Sequence, residues 1–271
     1  MTRCAVLGSP IAHSLSPTLH RAAYVALGLD WTYDAVEVAS DALAGFVEAL
    51  DPSWRGLSLT MPLKRTVLPL LSSADETVRL TGAANTVVLA PGERAGFNTD
   101  LPGAVAALRE RGVTAPSSVA VLGGGATAAT VLLGATSLGC RSATVHVRDA
   151  GRARATLDVI ARGAPSLDLS VAGLVGPIAA DMIVSTIPAQ AQTPELLGGL
   201  RADAVFEVRY DPWPTPIVAT AGAIGATVVG GLDLLVHQAV EQVRLMTGID
   251  DVPLAVMRAA GEKELAARAA G

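Results

Sequence analysis

The chain has 271 residues, enough for one large domain or two smaller ones, and its 51% hydrophobic but only 3% aromatic composition puts core packing on Ala, Val and Leu. A net charge of −5 excludes the basic surface that a nucleic-acid partner requires. Cys4 and Cys140 are too few for a disulfide framework; both sit in apolar surroundings and read as reduced thiols of a cytoplasmic protein.

In chain order, residues 4–7 read as a strand followed by a turn, not as the long apolar region of a signal peptide. Ser16 at an N-cap and Pro17 at the first helical position open a helix to Gly28. Next come a strand over 31–38, a helix over 42–50, a strand over 56–60 and a short helix over 64–71 after Pro62. Residues 83–89 read as a strand leaving a tight turn, and 96–100 close this part before Pro102 opens a helix to Arg111. A second unit then begins, with strands over 119–122, 143–147, 182–185, 204–208 and 227–229 and helices over 128–138 and 152–162. Strands alternating with helices predict a parallel sheet covered on both faces. Residues 232–247 and 254–269 form a helical tail. The stretch 113–140 carries no charge, but Pro116, Ser117, Ser118 and three glycines break it into strand, turn and buried helix, so it is not read as a membrane span.

Chemistry concentrates in three places. Gly123-Gly124-Gly125-Ala126-Thr127-Ala128, between a strand and a helix, fits the G-x-G-x-x-A fingerprint of a dinucleotide site. There Gly123 makes the turn, Gly125 lets backbone approach a pyrophosphate, and the helix N-terminus supplies N–H groups to it. The following strand ends Val147-Arg148-Asp149-Ala150-Gly151-Arg152. Arg148 and Arg152 suit the 2′-phosphate of NADP; Asp149, if it points inward, suits the 2′-hydroxyl of NAD instead.

The second place is Lys64. Of 20 basic residues only Lys64 and Lys263 are lysines, and Lys263 lies in a charged run, Glu262-Lys263-Glu264. An ammonium can give up a proton when desolvated and a guanidinium cannot, so a lysine in an apolar, hydroxylic segment marks a required amine. Asn85 and Asp100 each close a segment constrained by a nearby Gly or Pro. If the three segment ends lie together, Lys64 and Asp100 can move a proton while Asn85 orients an alcohol. The third place is Ser14-Leu15-Ser16, two hydroxyls at a helix entry that suit a carboxylate. His13, His20, His146 and His237 show no metal-ligand spacing, and no metal is expected.

Together these segments resemble the shikimate dehydrogenase family over nearly the whole chain. Residues 8–17 (GSPIAHSLSP) are similar to its N-terminal signature, in which Ser14 and Ser16 would bind the substrate carboxylate. Residues 58–64 (SLTMPLK) resemble N-V-T-x-P-x-K, with Ser58 in place of Asn. Residues 82–86 (GAANT) and 98–100 (NTD) match the motifs that hold substrate hydroxyls and complete the Lys64–Asp100 pair. The resemblance implies substrate contacts at Ser14, Ser16, Ser58, Thr60, Lys64, Asn85, Asp100, Tyr210 and Gln238, and catalysis by Lys64 and Asp100. It implies cofactor contacts at Gly123, Gly124, Gly125, Ala126, Thr127, Arg148, Asp149, Arg152, Thr186, Val208 and Gly231. The N-R-T-x-x-R cofactor motif keeps both arginines but loses its Asn and Thr to Val147 and Asp149. Gly230 and Asp233 depart from the late Gly-Leu segment, and residues 206–210 read FEVRY where Y-D-x-x-Y is usual.

The implied fold is α/β: an N-terminal α/β substrate domain, 1–101, completed by helices of 232–271, and a Rossmann-type doubly wound NADP-binding domain, 102–231. The implied reaction is reversible NADPH-dependent reduction of 3-dehydroshikimate to shikimate, in chorismate and aromatic amino-acid biosynthesis, by a monomer or homodimer with small-molecule partners only. Two alternatives stand beside it: an NAD-dependent quinate/shikimate dehydrogenase, and a catalytically silent NADP-binding regulator on the same fold.

Overall fold

A computed structural model describes residues 1–270, apart from the side chain of Arg152. The chain divides into two units: Met1–Thr99 with the chain from Leu235 onward, and Asp100–Leu234.

The first unit runs β1 (Thr2–Gly8), α1 (Ser16–Ala26), β2 (Trp31–Glu37), α2 (Leu43–Glu48), β3 (Trp54–Leu59), α3 (Leu63–Thr66), β4 (Ser73–Ala74), α4 (Glu76–Thr81), β5 (Thr86–Ala90) and β6 (Glu93–Phe97). Its six strands lie in the order β2-β1-β3-β5-β6-β4. The core forms because β1, β3 and β5 turn Ala5, Leu7, Leu57, Leu59 and Val87 onto one face, against Leu43, Val47, Leu63 and Val78 from the helices. This sheet is mixed. β1 pairs parallel with β2 and β3, but β5 is antiparallel to both β3 and β6. The two-residue loop between β5 and β6, whose Gly92 sits at φ +74°, makes those two strands a hairpin. Three elements went unread in the sequence: β4, of two residues; β6, not assigned as a strand; and α4, whose start is fixed by Asp75 accepting from the Val78 N–H at 2.6 Å.

The second unit opens with α5 (Asp100–Glu110) and continues β7 (Ser118–Leu122), α6 (Ala126–Ser137), β8 (Ser142–Val147), α7 (Ala150–Gly163), β9 (Asp168–Gly173), β10 (Met182–Ser185), α8 (Pro194–Leu197), β11 (Ala204–Glu207), α9 (Pro216–Ala223) and β12 (Thr227–Gly230). The strands are all parallel in the order β12-β11-β10-β7-β8-β9. The chain therefore winds outward one way from β7 and then the other way from β10, which is the Rossmann arrangement, with its switch point between these two strands. The central strands are apolar on both faces because helices cover both. The uncharged stretch noted above is β7 plus α6, whose residues from Ala128 to Ala135 are all buried. Among the described residues no helix is long and apolar enough to cross a membrane. β9 was not read as a strand because it is an edge strand, half exposed, with little apolar signal.

α10 (Gly231–Thr247) and α11 (Leu254–Ala270) follow. α11 packs on α1, and Arg268 donates from Nη1 to the His13 carbonyl at 2.9 Å.

Candidate active site

In the first unit the ends of three strands meet through backbone hydrogen bonds. The Thr60 N–H bonds the Leu7 carbonyl and the Ser9 N–H bonds the Met61 carbonyl, so the exits of β1 and β3 run together. Gly8 is required at this crossing, because a Cβ there would lie 2.4 Å from Thr60 Cγ2. The Leu59 N–H bonds the Asn85 carbonyl and the Ala84 N–H bonds the Lys64 carbonyl, both at 2.8 Å. Thr60, half-buried Lys64 and buried Asn85 thus share one end of the sheet. Asp100 follows Thr99 as the first residue of α5 and belongs to the second unit.

The entry to α1 differs from expectation. Leu15, not Ser16, occupies the N-cap, and no side chain caps the helix. The Ser14 hydroxyl instead accepts from the Ser16 N–H at 3.3 Å. Ser16 is buried, and its carbonyl meets His20 Nδ1 at 2.9 Å.

A chain of buried polar groups runs beneath these residues. The Tyr33 hydroxyl donates to Ser58 Oγ at 2.6 Å, and Ser58 donates to Gln242 Oε1 at 2.9 Å. Gln242 Nε2 donates to the Asn85 carbonyl and to Thr86 Oγ1. Thr86 donates to Asn85 Oδ1 at 2.9 Å, which also accepts the Thr99 N–H at 2.8 Å. Asn85 Nδ2 faces Thr99 Oγ1 and Gln238 Oε1. Ser58 is 2% exposed and its one hydrogen is committed to Gln242, so its hydroxyl has a structural use that its motif position did not suggest. Tyr33, Thr86 and Gln242 were all missed in the sequence. The one available signal was the spacing of Gln238 and Gln242, which puts two amides on a single face of α10.

In the second unit the Gly-rich turn lies at the switch point. Gly123 sits at φ +108°, where a Cβ would lie 2.3 Å from Thr186 Oγ1, and Thr186 itself donates to the Leu122 carbonyl. At Gly124 a Cβ would lie 2.6 Å from that of Ala153. Gly125 is the N-cap of α6; no side chain caps it, and space is open where its Cβ would be. Ala126 is exposed, Thr127 partly so, and Ala128 fully buried against the sheet. Beside the turn a cleft of about 430 Å³ is lined by Gly123, Gly124, His146, Val147, Arg148 and Asp149 among others. A dinucleotide fits: the glycines clear its path, the start of α6 offers N–H groups to phosphate, and Arg148 stands in the same cleft. Asp149 Oδ1 accepts the Gly151 N–H at 2.8 Å, so this carboxylate caps the start of α7. Arg152 falls outside the described residues as a side chain. No group of three His, Cys, Asp or Glu among the described residues could hold a metal.

The exits of β10 and β11 are tied by Glu207, which is fully buried. Its Oε2 accepts from Ser185, Gln192 and Thr215, and its Oε1 from the Arg209 N–H. Burial pushes the Glu207 carboxyl up, while these four donors favour its charged form. The segment so held carries Val208 and half-buried Tyr210. Gly231 packs directly on it; a Cβ there would lie 2.3 Å from the Val208 carbonyl oxygen. Asp233, an unexplained departure in the sequence, anchors the start of α10. It accepts the Gly230 N–H at 2.9 Å and a two-pronged bond from Arg111 at 2.8 and 3.0 Å.

Two family models match the chain: the shikimate dehydrogenase substrate binding domain over residues 6–87 and the shikimate 5′-dehydrogenase C-terminal domain over 231–260. The shikimate dehydrogenase (NADP(+)) of Synechococcus sp. (strain JA-3-3Ab) is 36% identical over 96% of this chain and 93% of its own. The crystal structure of Mycobacterium tuberculosis shikimate dehydrogenase superposes with a TM-score of 0.86 at 37% identity, covering 97% of this chain and all of that one. The Thermus thermophilus shikimate 5-dehydrogenase, in complex with NADP(H) and shikimate, superposes with a TM-score of 0.80 at 29% identity over 97% of this chain and 99% of its own. With the Gly-rich turn at the switch point and the motif residues at the ends of β1, β3 and β5, the chain belongs to the shikimate dehydrogenase family.

Proposed function

We propose that the protein catalyses the reversible NADPH-dependent reduction of 3-dehydroshikimate to shikimate, a step of chorismate and aromatic amino-acid biosynthesis. The observation that carries this is the placement of Thr60, Lys64 and Asn85 at one sheet end of a chain with family-wide similarity. Ser14, on the loop leaving β1, and Ser16, the first residue of α1, take the substrate carboxylate. Asn85 and Gln238 hold its hydroxyls. Tyr210 gives a further contact. NADPH, when bound, supplies the hydride. Lys64 and Asp100 then act as a coupled acid–base pair, giving a proton to the ketone oxygen in reduction and taking it from the alcohol in oxidation.

The second unit holds the cofactor. The start of α6 binds the pyrophosphate, and Arg148, with Arg152, takes the 2′-phosphate. Asp149 caps the start of α7 through one of its oxygens. The Synechococcus relative is named for NADP(+) and the Thermus structure holds NADP(H), and neither the NAD-dependent quinate reading nor the silent-regulator reading is favoured. The buried thiols Cys4 and Cys140 suit a reducing cytoplasm. Steady-state oxidation of shikimate with NADP⁺, repeated with NAD⁺ and with quinate, is the test. Turnover of shikimate with NADP⁺ well above the other combinations is expected. No turnover with any of them overturns the reading.

A further inference from the structure

We infer that Tyr33, Ser58 and Gln242 are positioning residues, a one-way chain of hydrogen bonds that fixes which side of the Asn85 amide faces the ligand. The inference rests on the reading of Asn85 as a substrate-holding residue.

The direction follows from counting hydrogens. A phenol, a serine and a threonine each have one hydrogen to give, and an amide has two on its nitrogen and none on its oxygen. Tyr33 gives its hydrogen to Ser58 at 2.6 Å. Ser58, with that lone pair occupied, gives its own to Gln242 Oε1 at 2.9 Å. The Gln242 amide is thereby held with its oxygen toward β3. Its nitrogen turns to the Asn85 carbonyl at 3.1 Å and Thr86 Oγ1 at 3.0 Å. Thr86, receiving from Gln242, gives its hydrogen to Asn85 Oδ1 at 2.9 Å. The Thr99 N–H points at the same oxygen from 2.8 Å. With its oxygen fixed by these donors, Asn85 gives one hydrogen of its NH₂ to Thr99 Oγ1 at 2.9 Å and turns the other toward Gln238, at 3.3 Å. A flipped Asn85 would set its NH₂ against the Thr99 N–H and the Thr86 hydroxyl and leave its oxygen without them, so one orientation prevails. Asn85 therefore meets the ligand as a donor.

Burial keeps the relay in its donating form. Tyr33 is fully buried beside the His20 ring, and burial pushes its phenol well above the ordinary tyrosine range, so it stays protonated. Ser58 stands where the resembling motif has Asn. Its short hydroxyl lets the phenol and the Gln242 amide meet through a single atom. The chain also explains why α10, which joins the first unit after the whole second unit has intervened, bears a second amide one turn after Gln238.

The test has two parts. In the ligand-free protein, Tyr33→Phe removes one hydroxyl and keeps the ring. Nitrogen-15 spectra are expected to show the side-chain NH₂ signals of both Gln242 and Asn85 shifting and exchanging faster. If Gln242 responds and Asn85 does not, the relay is overturned, whether or not shikimate is a substrate. If both respond but wild-type protein fails to oxidise shikimate, the relay stands and only the functional reading falls. In the active enzyme, Gln242→Met is expected to raise the KM for shikimate about tenfold and leave that for NADP⁺ within about twofold, a size in the range of couplings between bonded neighbours. In an Asn85→Ala background the same change should leave the shikimate KM unaltered. An equal rise in both backgrounds, or a rise in both KM values that tracks a lowered Tm, would show that Gln242 only supports the fold.

Discussion

Lys64 and Arg148 are the residues whose loss separates the two halves of the chemistry. Lys64→Ala removes one member of the proposed proton-transferring pair and should lower kcat by roughly 10²–10⁴-fold, the usual cost of losing a general acid–base group. Near wild-type turnover would rule out that role. Arg148→Ala removes a cation from the cofactor cleft, and a charge-assisted bond to phosphate makes a rise of roughly tenfold or more in the KM for NADPH the expected result. The KM for NADH should stay nearly constant, since NADH lacks the 2′-phosphate; equal rises for both cofactors would mean that Arg148 does not read that group. At this scale the placement of Lys64 and Asn85 at one sheet end and of the Gly-rich turn before α6 follows segments that rarity and spacing mark in the sequence. The use of Ser58 and Asp149 was not legible there. Both lie in recognisable motifs, yet what they bond to depends on Gln242, 184 positions away, and on the turn into α7. Asp233 reads as a departure until Arg111, from the far end of α5, is seen to grip it.

Among the elements, α1 carries an unusual burden. It buries His20 completely, with the ring stacked on Tyr33 at 3.9 Å and Nε2 without a hydrogen-bond partner among the described residues. Burial holds the His20 imidazole down to about 4. An unfolded histidine takes up a proton below pH of about 6.5, while this one stays neutral until about 4. The unfolded state thus binds more protons across that window, and stability is lost as the pH falls through it. Between pH 7 and 5 the loss from this one group should be about 2 kcal/mol. Urea unfolding of wild type and His20→Phe at both pH values measures it, and identical losses in the two proteins would refute the assignment. Long or strongly patterned elements such as α10, α11 and the central strands of the second unit were readable because burial imposes a clear pattern on them. The two-residue β4, the half-exposed β9 and α9 were not. The residues of α9, PIVATAGA, are apolar with no helical period. The pairing of β5 with β6 was likewise hidden, since it depends on a two-residue loop rather than on anything within the strand.

At the scale of the molecule, the first unit is discontinuous: its β-sheet comes from residues before 100 and its last two helices from residues after 234. The cleft beside the Gly-rich turn is contained within the second unit. A chain ending at residue 253 lacks α11, uncovers α1 and frees the His13 carbonyl from Arg268. Such a chain should keep its affinity for NADP⁺ within about threefold in a calorimetric titration and lose shikimate turnover; retained turnover would show that α11 is dispensable to the first unit. The split has a consequence during synthesis on the ribosome. The strands that emerge first present an apolar face whose helical cover has not yet been translated. The whole of residues 100–234 must be made before that cover appears, a delay on the order of ten seconds at ordinary elongation rates. The nascent second unit has everything it needs to fold in that interval, so the part begun first is the part finished last, and a newborn chain passes through a stage in which its sticky sheet is open to holding chaperones.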